Sequence, residues 1–126
     1  MNKLVLLLSL LAGSAQAETQ QQILAGLVAQ VGSVSAARGE QLFRGKFGAG
    51  KVDSCTACHT EDARSAGQHV KTHKAIDPLA PVAQKDRFTD AVKVEKWFKR
   101  NCQEVIGRAC SPQEKADFTA YMISLK

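Results

Sequence analysis

The sequence predicts an all-α fold built as a single small domain. Apolar residues recur at helical spacing in four stretches, and no stretch alternates with the period of a strand. There are no internal repeats and no low-complexity tract, and 126 residues are enough for one domain with a modest core. The third observation is the run Ser54-Cys55-Thr56-Ala57-Cys58-His59-Thr60, which contains Cys-x-x-Cys-His, the attachment signature of c-type haem. A covalent haem would add a rigid apolar body for the helices to wrap.

Residues 1–17 read as a secretory signal peptide. Lys3 gives the positive start, Leu4 to Ala12 form a short apolar run, and Ala15-Gln16-Ala17 is a small-residue cleavage site before Glu18. The run is too short to span a bilayer, and no other segment is long enough. The expected mature chain, residues 18–126, is an exported, periplasmic monohaem domain that does not itself cross a membrane. It keeps 16 basic and 12 acidic side chains, a surplus of about +4. With no interleaved basic and aromatic patch, nucleic acid is excluded as a partner. The scattered charges read first as solvated surface, and secondly as a docking face for an acidic redox partner.

The first expected helix covers Gln20 to Val31, with Ile23, Leu24, Leu27, Val28 and Val31 on one stripe before Gly32 and Ser33. The second starts near Ser35 and runs through Gly39, Leu42 and Phe43 toward Lys46. Gly39 in mid-helix costs about 1 kcal/mol relative to Ala. A close helix crossing would justify it, although simple tolerance is the plainer account. Gly45, Gly48 and Gly50 make a flexible approach to the haem signature.

The spacing of that signature has a chemical reason. Two thiols three positions apart can each add to one vinyl group, and the adjacent His59 is then carried under the ring as the proximal iron ligand. A thioredoxin-like redox pair would need a preceding strand, and a zinc site a second Cys-x-x-Cys. Neither is present; Cys102 and Cys110 lie eight apart. Cys55 and Cys58 are therefore assigned to one haem c. In an oxidising compartment Cys102 and Cys110 default to a disulfide, two free buried thiols being the alternative.

From Glu61 to Asp86 periodicity is weak, and Gly67, Pro78 and Pro81 punctuate a long loop. Ile76, Leu79 and Val82 are its expected apolar haem contacts. A carbonyl near Pro78 or Pro81 is a candidate acceptor for the other ring N–H of His59. Thr89 or Asp90 caps a third helix carrying Val92, Val94, Trp97 and Phe98 and ending near Asn101. Trp97 either meets the haem or fills the core. The last helix has the clearest start, Ser111 at N-cap, Pro112 at N1 and Glu114 at N3, a capping box. Phe118, Tyr121, Met122 and Leu125 then form one apolar face.

The sixth iron position decides between electron carrier and gas binder, because only a position that opens admits a ligand. Met122, the one Met of the mature chain, is in register with the core face, which disfavours a Met-ligated carrier. His69 and His73 would give a bis-histidine carrier. Spacing alone does not separate them from Asn101 or Lys99.

The run Asp86-Arg87-Phe88-Thr89-Asp90, then Val94-Glu95-Lys96-Trp97, Arg100-Asn101-Cys102, Val105-Ile106-Gly107-Arg108 and Cys110, resembles the sphaeroides haem protein family. Arg38-Gly39, Leu42-Phe43, the haem signature and Ala66-Gly67-Gln68 share the resemblance, which spans roughly Ala37 to Leu125. It implies a class I-like cytochrome c fold, one haem c, and a Cys102–Cys110 disulfide. It further implies that Asn101 ligates the ferric iron and leaves on reduction, so that the ferrous protein binds oxygen or nitric oxide. A dihaem cytochrome c and a membrane b-type cytochrome are the implied redox partners. A plain electron carrier with a histidine sixth ligand is the competing reading. A peroxidase or small nitrogen-oxide reductase ranks below both, since no titratable pair is recognisable as a distal acid and base.

Overall fold

Side-chain caps set where the helices begin. In the computed structural model, which describes Gly13 and residues 16–126, α1 (Gln20–Val28) starts at Thr19, whose hydroxyl accepts from Gln22 N while the Gln22 side chain accepts from Thr19 N. The expected signal peptide lies outside the described residues save for Gly13, Gln16 and Ala17. Ser35 caps α2 (Ala36–Arg44), and Asp90 caps α4 (Ala91–Val105). At α5 (Pro112–Ser124) the anticipated Ser111–Glu114 box forms in both directions, and Arg108 grips the Glu114 carboxylate at 2.8 Å.

Between α2 and α4 lie α3 (Thr56–His59) and two short strands, β1 (Gly67–Gln68) and β2 (Ala75–Ile76), paired antiparallel with Gly67 opposite Ile76. The strands correct the expectation that there would be none. Each is two residues long, too short to leave an alternating pattern, and the molecule remains all-α in class.

Helix α4 also overruns the expected end near Asn101. Nothing at Asn101 breaks a helix; the stop comes at Gly107, whose φ is +78°. Asn101 is thus an interior helical residue. Val92, placed on the apolar stripe, is 80% exposed, and Trp97 is 46% exposed rather than a core residue. The buried face of α4 is Val94, Phe98, Cys102 and Val105.

The core has two parts. One joins Ile23 and Leu27 of α1 to the buried face of α4, with Val52, Ile106, Cys110 and Ala116. The other gathers Phe43, Ala63, Ala80, Tyr121 and Met122. Cys55, Phe88 and Phe118 pack against both, so the start of α3 sits at the seam. Helix α2 crosses α5 so closely that a Cβ on Gly39 would fall inside the van der Waals shell of the Asp117 carbonyl oxygen and 2.8 Å from Tyr121 Cβ. The close crossing, not tolerance, explains the mid-helix glycine. Beside it Asp117 accepts from both Arg38 Nε at 2.7 Å and Ser35 N at 2.7 Å, tying the start of α2 to α5. Cys102 and Cys110 are joined by a disulfide that pins the exit from α4 to the entry of α5.

Candidate haem site

The approach to α3 is held by backbone bonds. Lys51 N and Val52 N both donate to the Glu104 carbonyl, at 2.7 and 3.1 Å, docking the glycine-rich loop on the last turns of α4. The buried Ser54 hydroxyl accepts from Ala57 N at 3.2 Å and lies 3.0 Å from the Thr56 hydroxyl, starting the turn. Cys58 N and His59 N then donate to the Cys55 carbonyl, at 3.2 and 3.0 Å. Thr60, at φ +63°, ends the turn abruptly. A Cβ on Gly67 would collide with the Cys58 carbonyl, so β1 can lie against the signature only with glycine there.

This places two half-buried thiols one turn apart, with the imidazole next in line. Both thiols are free, although the other two cysteines are paired. Burial pushes the Cys55 thiol up to about 11, so it stays protonated. Burial also pushes His59 down to about 4, with the Arg87 charge adding to the effect, so the ring is neutral at pH 7. Two uncommitted thiols one turn apart beside a neutral imidazole fit a covalently held haem: each thiol S–H adds across a vinyl group, and a ring nitrogen is left with its lone pair. Among the described residues no three His, Cys, Asp or Glu side chains converge as a metal site of their own. A surface cleft of about 580 Å³ lies between α2, α5 and the segment from Glu61 to Arg64 and touches neither thiol nor His59.

Of the candidate carbonyl acceptors for His59 near Pro78 and Pro81, that of Pro78 already receives another donor. Arg87 Nε donates to it at 2.9 Å and Arg87 Nη2 to the Asp77 carbonyl at 2.9 Å. This half-buried guanidinium, which the spacing did not single out, closes the loop over the haem signature. Phe88 follows at φ +57°, an unusual backbone for an aromatic residue, and packs against both cores.

The candidate sixth ligands part company here. His69 Nδ1 accepts from Lys71 N and Thr72 N, each at 3.2 Å, which leaves Nε2 to donate to Glu104 at 3.2 Å. Both ring nitrogens are therefore in use. His73 is exposed in the turn between β1 and β2, at φ +59°. Met122 is sealed in the core at 0% exposure, as its register predicted. Lys99 is exposed, whereas Asn101 is half-buried on α4 and its amide makes no hydrogen bond to the described chain. The Glu104 link to His69 left no local trace in the sequence, because its partners lie 35 residues apart.

Residues 29–122 match the family described as a domain of unknown function, DUF1924. The chain is 47% identical over 127 residues to cytochrome c-type protein SHP of Cereibacter sphaeroides, covering 97% of this chain and 98% of that one. It is 42% identical over 88 residues to cytochrome c'' of Methylophilus methylotrophus, covering 68% of this chain and 61% of the relative. In three dimensions it resembles oxidised SHP, described as an oxygen-binding cytochrome c, with a TM-score of 0.82 at 45% identity over 87% of this chain and 100% of that one. Oxidised cytochrome c'' follows, at a TM-score of 0.73 and 32% identity over 85% and 94%.

Proposed function

The chain belongs to the SHP family of c-type cytochromes, with haem c as its cofactor, and on that premise we propose that it is a periplasmic electron-transfer cytochrome with an iron position that opens on reduction. Cys55 and Cys58 hold the haem as thioethers and His59 is the proximal ligand. When bound, the haem supplies a one-electron couple and an axial position that a diatomic gas can occupy.

Asn101 governs that position. Its amide oxygen is hard, neutral and weak, and so prefers ferric to ferrous iron. Asn101 would hold the ferric ion through that oxygen, and a turn of its side chain alone would free it on reduction, since its backbone is fixed inside α4 and braced by the disulfide at Cys102. Oxygen, as in the relative described as oxygen-binding, or nitric oxide is the ligand then admitted. The carrying observation is that the Asn101 amide is uncommitted, while both His69 nitrogens are spent and Met122 is sealed away.

Export with cleavage after Ala17 completes the reading. Glu18, the first residue of the expected mature chain, donates its N–H to the Thr89 carbonyl at 3.0 Å, and its carboxylate accepts from Ala91 N at 3.0 Å. These two bonds tie the first residue of the expected mature chain to the start of α4, which supports that reading. A dihaem cytochrome c and a membrane b-type cytochrome are the redox partners the family implies.

The test is a pair of absorption and resonance Raman spectra, wild type and Asn101→Ala, oxidised and reduced. The expected result is a five-coordinate, high-spin ferrous wild type, with the substitution altering only the ferric spectrum. A wild type that is six-coordinate and low-spin in both states would overturn the proposal and move attention to His73.

A further inference from the structure

Helix α4 carries a second feature on the side away from the core. Lys93, Lys96, Lys99 and Arg100 are all exposed, and none makes an ion pair among the described residues. The acids nearby are turned elsewhere. Glu95 pairs with Lys115 of α5, Glu104 faces His69, and Asp90 is the N-cap. Of the described arginines, Arg38, Arg44, Arg64 and Arg108 are held by carboxylates and Arg87 by two carbonyls. Arg100 has neither kind of partner, and its guanidinium carbon lies 5.8 Å from the centroid of Trp97.

Trp97, the only tryptophan, is 46% exposed at the side of this surface. A half-exposed tryptophan with Lys93 one turn before it and Arg100 one turn after it is the composition of an interface centre rather than of a solvated helix. The helix itself gains nothing from this arrangement, since Lys93 stands in the first turn, where the macrodipole disfavours a cation. Trp97 is four residues before Asn101 and so neighbours it on the helix surface, next to the proposed iron ligand.

We propose that this outer face of α4 is the docking surface for an acidic redox protein, with Trp97 as its apolar anchor. The proposal rests on the haem reading above and adds where electrons enter. Four cations unpaired among the described residues steer an acidic partner, whose carboxylates pair with them.

The experiment is stopped-flow reduction of the ferric holoprotein by an acidic flavodoxin hydroquinone. Each event oxidises the flavin by one electron to the semiquinone and reduces the ferric protein to ferrous. A Lys96→Glu/Arg100→Glu variant is compared with Lys46→Glu/Lys74→Glu, which changes net charge equally at exposed sites elsewhere. At low ionic strength the α4 variant is expected to react about tenfold more slowly than wild type, converging with it at high salt, while the control pair stays within about twofold. Trp97→Ala is expected to slow the reaction while keeping its salt dependence. Equal losses in both charge variants would mean net charge alone, and overturn the proposal. So would no loss in either, or binding to phosphatidylglycerol vesicles that only the α4 variant loses while its flavodoxin rate is unchanged. Failure of the haem reading is separate, because it would show as a purified protein without a reducible haem absorption band.

Discussion

His69 spends both ring nitrogens inside the chain, and Met122 has no exposed surface, so these two of the side chains suited to strong axial ligation are occupied in holding the fold. Replacing them should therefore move stability and not coordination. His69→Ala removes the tie between the β1–β2 turn and α4 and is expected to cost about 1 kcal/mol in a urea melt. Met122→Ala opens the second core and is expected to cost about 3 kcal/mol. Both should leave the ferric absorption spectrum of the holoprotein as it is; a change of spin state in His69→Ala would make that residue a ligand. Met122 was readable as core because it follows Phe118 by one helical turn, a local relation. The engagement of His69 was not, because what uses up its Nε2 comes from another element. Arg87 is similar, since a guanidinium bonded to carbonyls nine and ten residues away leaves no sequence period.

Caps and stripes made four of the helices legible, but their ends less so: α1 stops at Val28, three residues short of the expected Val31, and α4 overruns where no residue breaks it. Helix α4 runs past Asn101 to Val105 because only Gly107 can take the left-handed backbone that terminates it. That four-residue difference matters to the site, for it converts Asn101 from a loose end into a fixed helical position whose side chain alone can move. The crossing of α2 over α5 was legible only as a question, an interior glycine with a known cost. The structure answers it with the Asp117 carbonyl lying where a Cβ would be. Gly39→Ala should accordingly destabilise, although alanine is the better helix former by about 1 kcal/mol. Forcing backbone this close apart costs about 2 to 3 kcal/mol on its own, so the expected net loss is about 1 to 2 kcal/mol. A denaturant midpoint that rises in Gly39→Ala would show the crossing to be looser than it looks.

The whole molecule is tied at two places, by the disulfide between the exit of α4 and the entry of α5 and by the Asp117 cluster between α2 and α5. Its response to acid follows from the second. Burial alone would raise the Asp117 carboxyl, but the Arg38 hydrogen bond, the Ser35 N–H and the Gln113 amide together hold it below the usual carboxylate range. Glu114, gripped by Arg108, is lowered as well. A carboxylate whose folded pKa lies below its unfolded value of about 3.9 contributes stability that is complete above that value. The contribution is lost as pH falls through the lower folded pKa. Stability of the holoprotein should therefore be level from neutrality to about pH 5 and fall steadily below about pH 4. Asp117→Asn separates the two parts of this effect. At neutral pH it weakens the charge-assisted hydrogen bonds from Arg38, Ser35 N and Gln113, and the expected loss is about 2 kcal/mol, the half-exposed Arg38 left behind being stabilised by water. Below about pH 4 the variant has one proton fewer to take up, so its stability should decline by up to about 1.4 kcal/mol per pH unit less steeply than wild type. Urea melts of both proteins across that range would converge toward acid if the cluster works in this way, and parallel curves would place the acid sensitivity elsewhere.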